Sequence, residues 1–248
     1  MSDPSGVLAG RVALVTGGSG GIGAALCRRL GLSGARVAVH FRSGRGAAEA
    51  VARSVRAAGG EAQIFAADLA DPAAPGRLVD QVQAALGPID VLAANAGFSR
   101  RAAYEEVDAA LFDETLAVNL RAPFLLAQRT LPHMRAQHFG RVLFTSSIAA
   151  ITGGIVGPHY AASKAGLHGL THFLAARVAA DGVTVNAIAP ALVTGTGMLP
   201  GEPAELTPLV PVGRLGTPEE VADLAMAMLA NGYLTSKVFA LDGGIAPC

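Results

Sequence analysis

Three side chains within one stretch of the sequence form a pattern that can deliver a proton to a substrate oxygen. Tyr160 and Lys164 are four residues apart in an alanine-rich segment that predicts a helix, so they share a face. A phenol, with a pKa of about 10, is a weak proton donor at neutral pH, and a nearby ammonium lowers that pKa. Ser147 follows a predicted strand, where its hydroxyl can hydrogen-bond an oxygen that gains negative charge. The alternative is a surface Tyr–Lys pair on an ordinary helix.

A glycine-rich turn early in the chain indicates a phosphate-binding site. The segment "TGGSGGIG" (16–23) follows the first predicted strand and opens a predicted helix. The free N–H groups and the dipole of a helix N-terminus favour a pyrophosphate, and glycines let the backbone approach it closely. The spacing of Gly17, Gly21 and Gly23 is TGxxxGxG, a variant of the usual GxGxxG. A glycine loop without a ligand is the alternative, and the strand-turn-helix context favours a dinucleotide.

The end of the second predicted strand indicates which dinucleotide binds. A carboxylate about 20 residues beyond the glycines commonly holds a ribose 2′-hydroxyl, but this region has no acid and offers Arg42, Ser43 and Arg45 instead. A guanidinium binds a 2′-phosphate, so we predict NADP(H), with NAD(H) as the second option and a solvated arginine as the alternative. Asp68, after the third predicted strand, either accepts from an adenine amino group or caps the next helix.

The elements that must position these groups alternate along the chain. Predicted strands cover 11–17, 36–41, 62–68, 89–97, 141–147, 183–190 and 237–244. Helical patterns cover 22–33, 46–58, 76–86, 104–138 and 160–180, and a last helix follows a capping box at Thr217. Continuous apolar strands suit a parallel sheet covered on both faces, and strand–helix alternation implies right-handed βαβ units. We predict one α/β domain over 1–248, with the Gly- and Pro-rich segment 191–213 as a lid.

Composition and charge exclude several classes of function. Hydrophobic residues make up 51% of the chain and charged residues 15%, against roughly 25% charged in average domains, so core and subunit contacts must be extensive. The formal net charge of zero argues against nucleic acid and membrane partners, and no signal peptide or membrane span is predicted. We expect a cytoplasmic protein in which Cys27 and Cys248 stay as separate thiols. His168 and His172 lack a neighbouring acid, so no metal site is predicted.

In order and spacing, these motifs resemble the classical short-chain dehydrogenase/reductase family, especially its 3-oxoacyl-[acyl-carrier-protein] reductase-like members. The resemblance covers nearly the whole chain. It rests on TGxxxGxG (16–23), ANAG (94–97), Asn119, Ser147, YAASK (160–164), NAIAP (186–190) and LDGG (241–244). It implies a Rossmann-type doubly wound fold, with a seven-stranded parallel sheet in the order 3-2-1-4-5-6-7 and helices on both faces. It also implies reversible NAD(P)H-dependent reduction of a ketone to a secondary alcohol by a homotetramer or homodimer.

The resemblance implies roles for four catalytic residues: Tyr160 is the general acid/base, Lys164 lowers its pKa and holds the nicotinamide ribose, Ser147 positions the carbonyl, and Asn119 helps to hold a relay water. Predicted cofactor contacts are Gly17, Ser19, Gly20, Gly21, Ile22, Gly23, Arg42, Ser43, Asp68, Leu69, Asn95, Ala96, Gly97, Tyr160, Lys164, Pro190, Val193, Thr194 and Thr196. Predicted substrate contacts are Phe98, Ser147, His159, Leu192, Met198 and Leu199.

Departures from the family pattern bear on cofactor and substrate. Gly20 stands where NADPH-preferring members often carry a basic residue, and Ala191 follows Pro190 where the family has glycine. Members that dock an acidic carrier protein carry arginine where this chain has His138 and Asp181. We therefore predict a small or medium-sized free ketone as the substrate, rather than a carrier-bound acyl chain.

Arg100 and Arg101 could form a different basic patch and are the evidence against a free ketone. The alternatives are a carrier-dependent 3-oxoacyl reductase, an NAD-dependent alcohol dehydrogenase and a non-catalytic binding protein.

Overall fold

The computed structural model describes residues 4–246 and places the seven predicted strands in one parallel sheet. The strands are β1 (Val12–Val15), β2 (Arg36–Phe41), β3 (Glu61–Ala66), β4 (Val91–Ala94), β5 (Gly140–Thr145), β6 (Val183–Pro190) and β7 (Val238–Leu241). Their order is β3-β2-β1-β4-β5-β6-β7, which confirms the predicted α/β fold and strand order. The chain reverses its winding direction between β3 and β4, so a crevice opens beyond the carboxyl ends of β1 and β4.

Helices cover both faces of the sheet. They are α1 (Gly21–Leu32), α2 (Arg45–Ala57), α3 (Ala74–Leu86), α4 (Ala109–Leu116), α5 (Ala122–Ala136), α6 (Ala149–Thr152), α7 (Pro158–Val178), α8 (Pro203–Leu206) and α9 (Pro218–Ala230). The helices α1, α2 and α9 pack on one face, and α3, α5 and α7 pack on the other. Within residues 4–246 no helix is long and apolar enough to cross a lipid bilayer.

The central strands are buried on both faces, which explains their continuous apolar runs. Every residue of β1, β4 and β6 is buried, whereas the edge strands β3 and β7 are partly exposed. Successive side chains alternate between faces, so Val15 packs with the α1 layer and Leu14 with the α3 layer. Burying one such side chain stabilises the fold by roughly 1.5–3 kcal/mol. The sheet is therefore a rigid base for the loops at its carboxyl edge.

Several strands end earlier, at the carboxyl edge of the sheet, than the sequence predicted. β4 ends at Ala94, three residues before the predicted end, and β5 ends at Thr145, two residues before it. The backbone N–H of Asn95 instead donates to Thr16 Oγ1 at 3.0 Å, which turns the chain out of the sheet. Residues 95–97 are only partly buried, so the apolar pattern of the sequence overestimates strand length here. The residues beyond the true strand ends are those that form the site described below.

The prediction of one apolar helix over 104–138 is wrong. The segment contains a 3₁₀ turn (Tyr104–Glu106), then α4, a π-helical turn (Ala117–Arg121) and α5. Asp108 starts α4 by accepting the Leu111 N–H at 2.8 Å. Pro123, in the first turn of α5, has no N–H to donate to the carbonyl of Asn119, as a regular α-helix would require. The wider turn is the backbone's response to that missing donor, and such turns are frequent at functional sites.

The segment 191–213, predicted to be irregular, has structure of its own. It contains α8 and a 3₁₀ turn (Thr207–Leu209). Leu206, Val210 and Leu215 form a small buried cluster, against which Leu192 and Leu199 pack. The segment therefore covers the carboxyl edge of the sheet as a packed element.

The cysteine and the histidine pair singled out in the sequence lie in packed or hydrogen-bonded positions. Cys27 on α1 is free and fully buried, and burial raises the pKa of its thiol, while Cys248 lies outside the described residues. The Ser146 hydroxyl donates its only proton to the Lys164 carbonyl at 3.0 Å. In its 2.8 Å contact with His168 Nε2 it must therefore accept, so the imidazole N–H is the donor. His172 is hydrogen-bonded to Ser236 at 3.0 Å, so the two rings face different serines.

Candidate active site

A cavity of about 310 Å³ opens at the carboxyl ends of the central strands. It brings together residues that are far apart in the sequence. Of the predicted site residues, those that line it are Gly17, Gly20, Gly21, Ile22, Asn95, Ala96, Gly97, Ser147, Tyr160, Lys164, Pro190, Leu192, Val193, Thr196, Met198 and Leu199. The glycine turn lies at one end, and the lid segment 191–213 forms one wall.

The three residues predicted to act in proton transfer meet where β5 ends and α7 begins. Pro158 opens α7, which places Tyr160 and Lys164 one turn apart and buries both, with 8% and 3% of their surface exposed. Lys164 Nζ donates to the Thr145 carbonyl at 2.7 Å and lies 5.7 Å from the centre of the Tyr160 ring. Ser147 Oγ accepts the Ala149 N–H at 3.2 Å and is hydrogen-bonded to the Tyr160 side chain. The two hydroxyls are therefore adjacent, so an oxygen bound beside them can contact both.

Burial shifts both titratable groups towards their neutral forms. It raises the pKa of Tyr160, and the hydrogen bond with Ser147 opposes that shift only in part. It lowers the pKa of Lys164 to about 8. The predicted lowering of the Tyr160 pKa by Lys164 is not found in the protein alone, where burial dominates and the opposing contribution comes from the hydrogen bond with Ser147. A phenol that stays protonated at neutral pH is the form that can donate a proton.

Asn119 lies behind the cavity rather than in its lining. Its side chain is fully buried: Oδ1 accepts the Phe98 N–H at 2.7 Å, and Nδ2 donates to the Phe98 carbonyl at 2.9 Å and to Ser163 Oγ at 3.0 Å. Ser163 in turn donates to the Tyr160 carbonyl at 2.7 Å. The amide therefore fixes the loop after β4 to the first turns of α7.

The glycine turn fits a pyrophosphate. A Cβ at Gly23 would lie 2.2 Å from the Gly17 carbonyl oxygen, and one at Gly21 would lie 3.1 Å from Thr196 Cγ2. No side chain caps the first turn of α1, whose N-cap is Gly20. Glycine is therefore needed for the turn to pack this closely on itself and on Thr196, and the uncapped N–H groups of α1 are left free to face a phosphate.

A second cavity of about 180 Å³ adjoins the glycine turn. The predicted residues that line it are Gly17, Ser19, Arg42, Ser43, Asp68, Leu69, Ala96, Gly97 and Phe98. Among residues 4–246 no carboxylate forms an ion pair with Arg42, which leaves its guanidinium available to an anion. Asp68 Oδ1 accepts the Ala70 N–H at 3.0 Å, whereas α3 begins only at Ala74, so the helix-cap alternative for Asp68 is wrong.

His40, which the sequence analysis missed, also lines this cavity. It is buried near the end of β2, with 2% of its surface exposed. Burial lowers its pKa to about 4, although the nearby Asp68 carboxylate opposes that shift. The available signal was a lone histidine in the apolar run "VAVHF".

Two predicted contacts face away from the main cavity. His159 is fully buried and its Nε2–H donates to the Arg100 carbonyl at 3.0 Å, because successive helical residues point in different directions and Tyr160 takes the cavity side. Thr194 Oγ1 donates to the Gly216 carbonyl at 3.3 Å, at the base of the lid. Thr196 Oγ1 donates to the Val193 carbonyl at 3.0 Å and does line the cavity.

Residues 11–206 match the family model of the short chain dehydrogenases. The acetoacetyl-CoA reductase of Rhizobium meliloti is 36% identical over 241 residues, 94% of this chain and 98% of that protein. The cis-4-hydroxycyclohexanecarboxylate dehydrogenase of Sinomonas cyclohexanicum is 37% identical over 243 residues, 94% and 96% of the two chains. The crystal structure of a 3-oxoacyl (acyl-carrier-protein) reductase from Agrobacterium tumefaciens with NADP bound is 34% identical, with a TM-score of 0.90 and 96% and 95% coverage.

The chain therefore belongs to the short chain dehydrogenase family and is an oxidoreductase. The family prediction made from the sequence is confirmed.

Proposed function

We propose that the protein reduces a ketone to a secondary alcohol with NADPH, and oxidises the alcohol in the reverse direction. One observation carries the proposal: Ser147, Tyr160 and Lys164 meet in a cavity that continues to a glycine turn shaped for a pyrophosphate. Two of the matched relatives are named as a reductase and a dehydrogenase, which agrees with a reversible carbonyl reaction.

Each residue has a distinct part in this reaction. NADPH, when bound, supplies the hydride that reaches the carbonyl carbon. Ser147 donates a hydrogen bond to the carbonyl oxygen, where negative charge develops, and Tyr160 passes its proton to that oxygen. Lys164 stabilises the phenolate left behind and binds the nicotinamide ribose. We propose that a water near Asn119, where Pro123 removes a helical donor, returns a proton towards Lys164.

A screen of ketones followed by NADPH absorbance tests the proposal directly, with NADH in parallel. Turnover of at least one ketone is expected. Cofactor binding without turnover of any of them would favour a non-catalytic binding protein that keeps the fold.

Arg42→Asp is expected to move cofactor preference from NADPH towards NADH. Arg42 and Ser43 are exposed at the second cavity, and a carboxylate there repels a 2′-phosphate and accepts from a 2′-hydroxyl. Loss of a charge-assisted contact raises the Kd for NADPH by about tenfold to a hundredfold. Arg53→Asp is the matched control, because Arg53 is exposed further along α2 and lies outside that cavity lining. Faster wild-type turnover with NADH than with NADPH at equal concentrations would contradict the NADPH prediction. The absence of a basic residue at Gly20 would then have indicated the preferred cofactor better than Arg42 did.

For the substrate, we propose a small or medium-sized free ketone. The lid side of the main cavity offers Leu192, Met198, Leu199 and Pro200, and the lid 191–213 has no Lys or Arg. Such a lining suits a largely apolar ligand.

A specific observation favours a second candidate, an acyl thioester on an anionic carrier. Arg101 Nη1 donates to the Pro200 carbonyl at 3.2 Å, which places a cation at the rim of the cavity. Asp181 is paired with Arg135 at 2.6 Å, so its charge repels an acidic partner less than the sequence alone implied.

Uncharged 3-oxoesters and simple ketones are expected to give a higher kcat/KM than the matching 3-oxoacyl group on an acyl carrier protein. Arg101→Ala should leave the free-ketone rate near that of the wild type, because the apolar wall remains. A carrier-linked kcat/KM well above that of every free ketone, lost in Arg101→Ala, would establish the second candidate instead.

The proposal extends to assembly and location. A homotetramer or homodimer is supported by large apolar side chains left exposed in the single chain, including Phe173 on α7 and Phe239 on the edge strand β7. The free thiol of Cys27 is compatible with a cytoplasmic protein. We further propose that the whole chain acts as one catalytic domain, with residues 191–213 closing over the substrate.

A further inference from the structure

His40 connects two segments that no local sequence pattern relates. Its Nδ1 accepts the Gly17 N–H at 3.1 Å, and its Nε2–H donates to the Ala67 carbonyl at 3.1 Å. An amide can only donate and a carbonyl can only accept, so these partners require the neutral tautomer with its proton on Nε2. The His40 main chain adds a third contact, because its carbonyl accepts the Gly18 N–H at 2.8 Å.

The two side-chain contacts of His40 reach the segments that form opposite walls of the second cavity. Gly17 and Ser19 form the wall from the glycine turn, while Asp68 and Leu69 form the wall that directly follows Ala67. Among residues 4–246 no other side chain hydrogen-bonds both the glycine turn and the segment after β3. Main-chain bonds also tie each wall to β2, from the Gly18 N–H to the His40 carbonyl and from the Ala67 N–H to the Phe41 carbonyl, and the buried imidazole is the side chain that joins the two walls to each other.

We infer that His40 is a positioning residue that holds these two walls in the geometry that binds the adenosine half of the cofactor. The inference rests on the proposed function, because that function puts a dinucleotide there. Arg42 would discriminate between the two cofactors through the 2′-phosphate. His40 would instead support the part of the site that NADPH and NADH share.

His40→Phe tests this role, since the ring volume is kept and both hydrogen bonds are lost. Fluorescence titration is expected to show the Kd for NADPH and the Kd for NADH rising together, by about tenfold. In steady-state assays the KM for cofactor should rise by a larger factor than kcat falls. Arg42→Asp, by contrast, weakens NADPH alone. An unchanged Kd for both cofactors in folded His40→Phe would overturn the inference.

A second measurement needs no cofactor and keeps the idea testable if the wild type binds neither dinucleotide, the result that would defeat the proposed function. Hydrogen–deuterium exchange of the free protein is followed in peptides covering residues 12–20 and 62–70. Both peptides are expected to exchange faster in His40→Phe than in the wild type. Exchange that changes in neither or in only one would show that His40 does not couple the walls.

Two variants separate positioning from a general effect on stability. His40→Gln, with an amide that can both accept and donate, should recover part of the cofactor affinity, and it serves as the main variant if His40→Phe does not fold. His172→Asn removes another hydrogen-bonded histidine, exposed on α7 and outside both cavity linings. It should leave both Kd values at the wild-type level. A rise in Kd in this control as large as in His40→Phe would overturn the inference.

Discussion

Replacing Tyr160 with phenylalanine is expected to slow ketone reduction about a thousandfold while NADPH still binds with the wild-type Kd. The ring remains packed in its buried site with Ala149 and Val156, and only the hydroxyl that donates the proton is lost. Burial raises the pKa of that phenol further above neutrality, so the wild-type group carries the proton that it must donate in the reductive direction. Single-turnover reduction with preformed protein–NADPH complex measures the loss without interference from product release.

Tyr233→Phe is the matched control for this variant. Tyr233 is almost fully exposed, at 99%, and lies outside the main cavity lining, so removal of its hydroxyl should leave turnover at the wild-type level. If Tyr160→Phe kept most of the wild-type activity, the proton would have to come from another group, and the proposed mechanism would be wrong.

Replacing Lys164 with alanine should lower kcat and raise the Kd for NADPH together, with kcat/KM falling by about a hundredfold or more. The ammonium would both stabilise the phenolate and bind the nicotinamide ribose, and it is held in place by its 2.7 Å bond to the Thr145 carbonyl. Lys164→Met keeps an unbranched apolar side chain of similar length and should show the same two defects. Lys237, exposed beside β7, provides the control variant Lys237→Ala. A normal Kd for NADPH in both Lys164 variants would rule out its role at the ribose.

Lys164 also predicts a pH dependence for the wild type. Burial lowers the pKa of its amine to about 8 in the free protein, so the ammonium is present at pH 7 and lost as the pH rises above about 8. Since kcat/KM reports ionisation of the free enzyme, kcat/KM for NADPH should decline across that range, and Lys164→Met should lose this limb of the profile.

Much of the fold and the centre of the site could be predicted from the sequence, because both depend on local patterns. The runs 36–41 and 183–190 match β2 and β6 at both ends, since strands buried on both faces of a parallel sheet are mostly apolar. The pair Tyr160 and Lys164 needs only helical spacing to share a face, and the turn at Gly17–Gly23 needs only a strand before it and a helix after it. Arg42 was predicted as a cofactor contact in the same way, from its position directly after a strand.

The tertiary structure alone decided which side chains meet across elements. It turned His159 away from the cavity, engaged the Asn119 amide with Phe98 and Ser163, and used His40 to join the glycine turn to Ala67. Each of these contacts joins residues between 21 and 59 positions apart, and no sequence period encodes which buried donor finds which acceptor.

The tertiary structure also decided the direction of the Tyr160 pKa shift. The sequence shows that an ammonium is near the phenol, but only the packed structure shows that the phenol has lost its water. Charge and spacing are local properties that a sequence determines by itself, whereas hydration depends on everything that packs around a group.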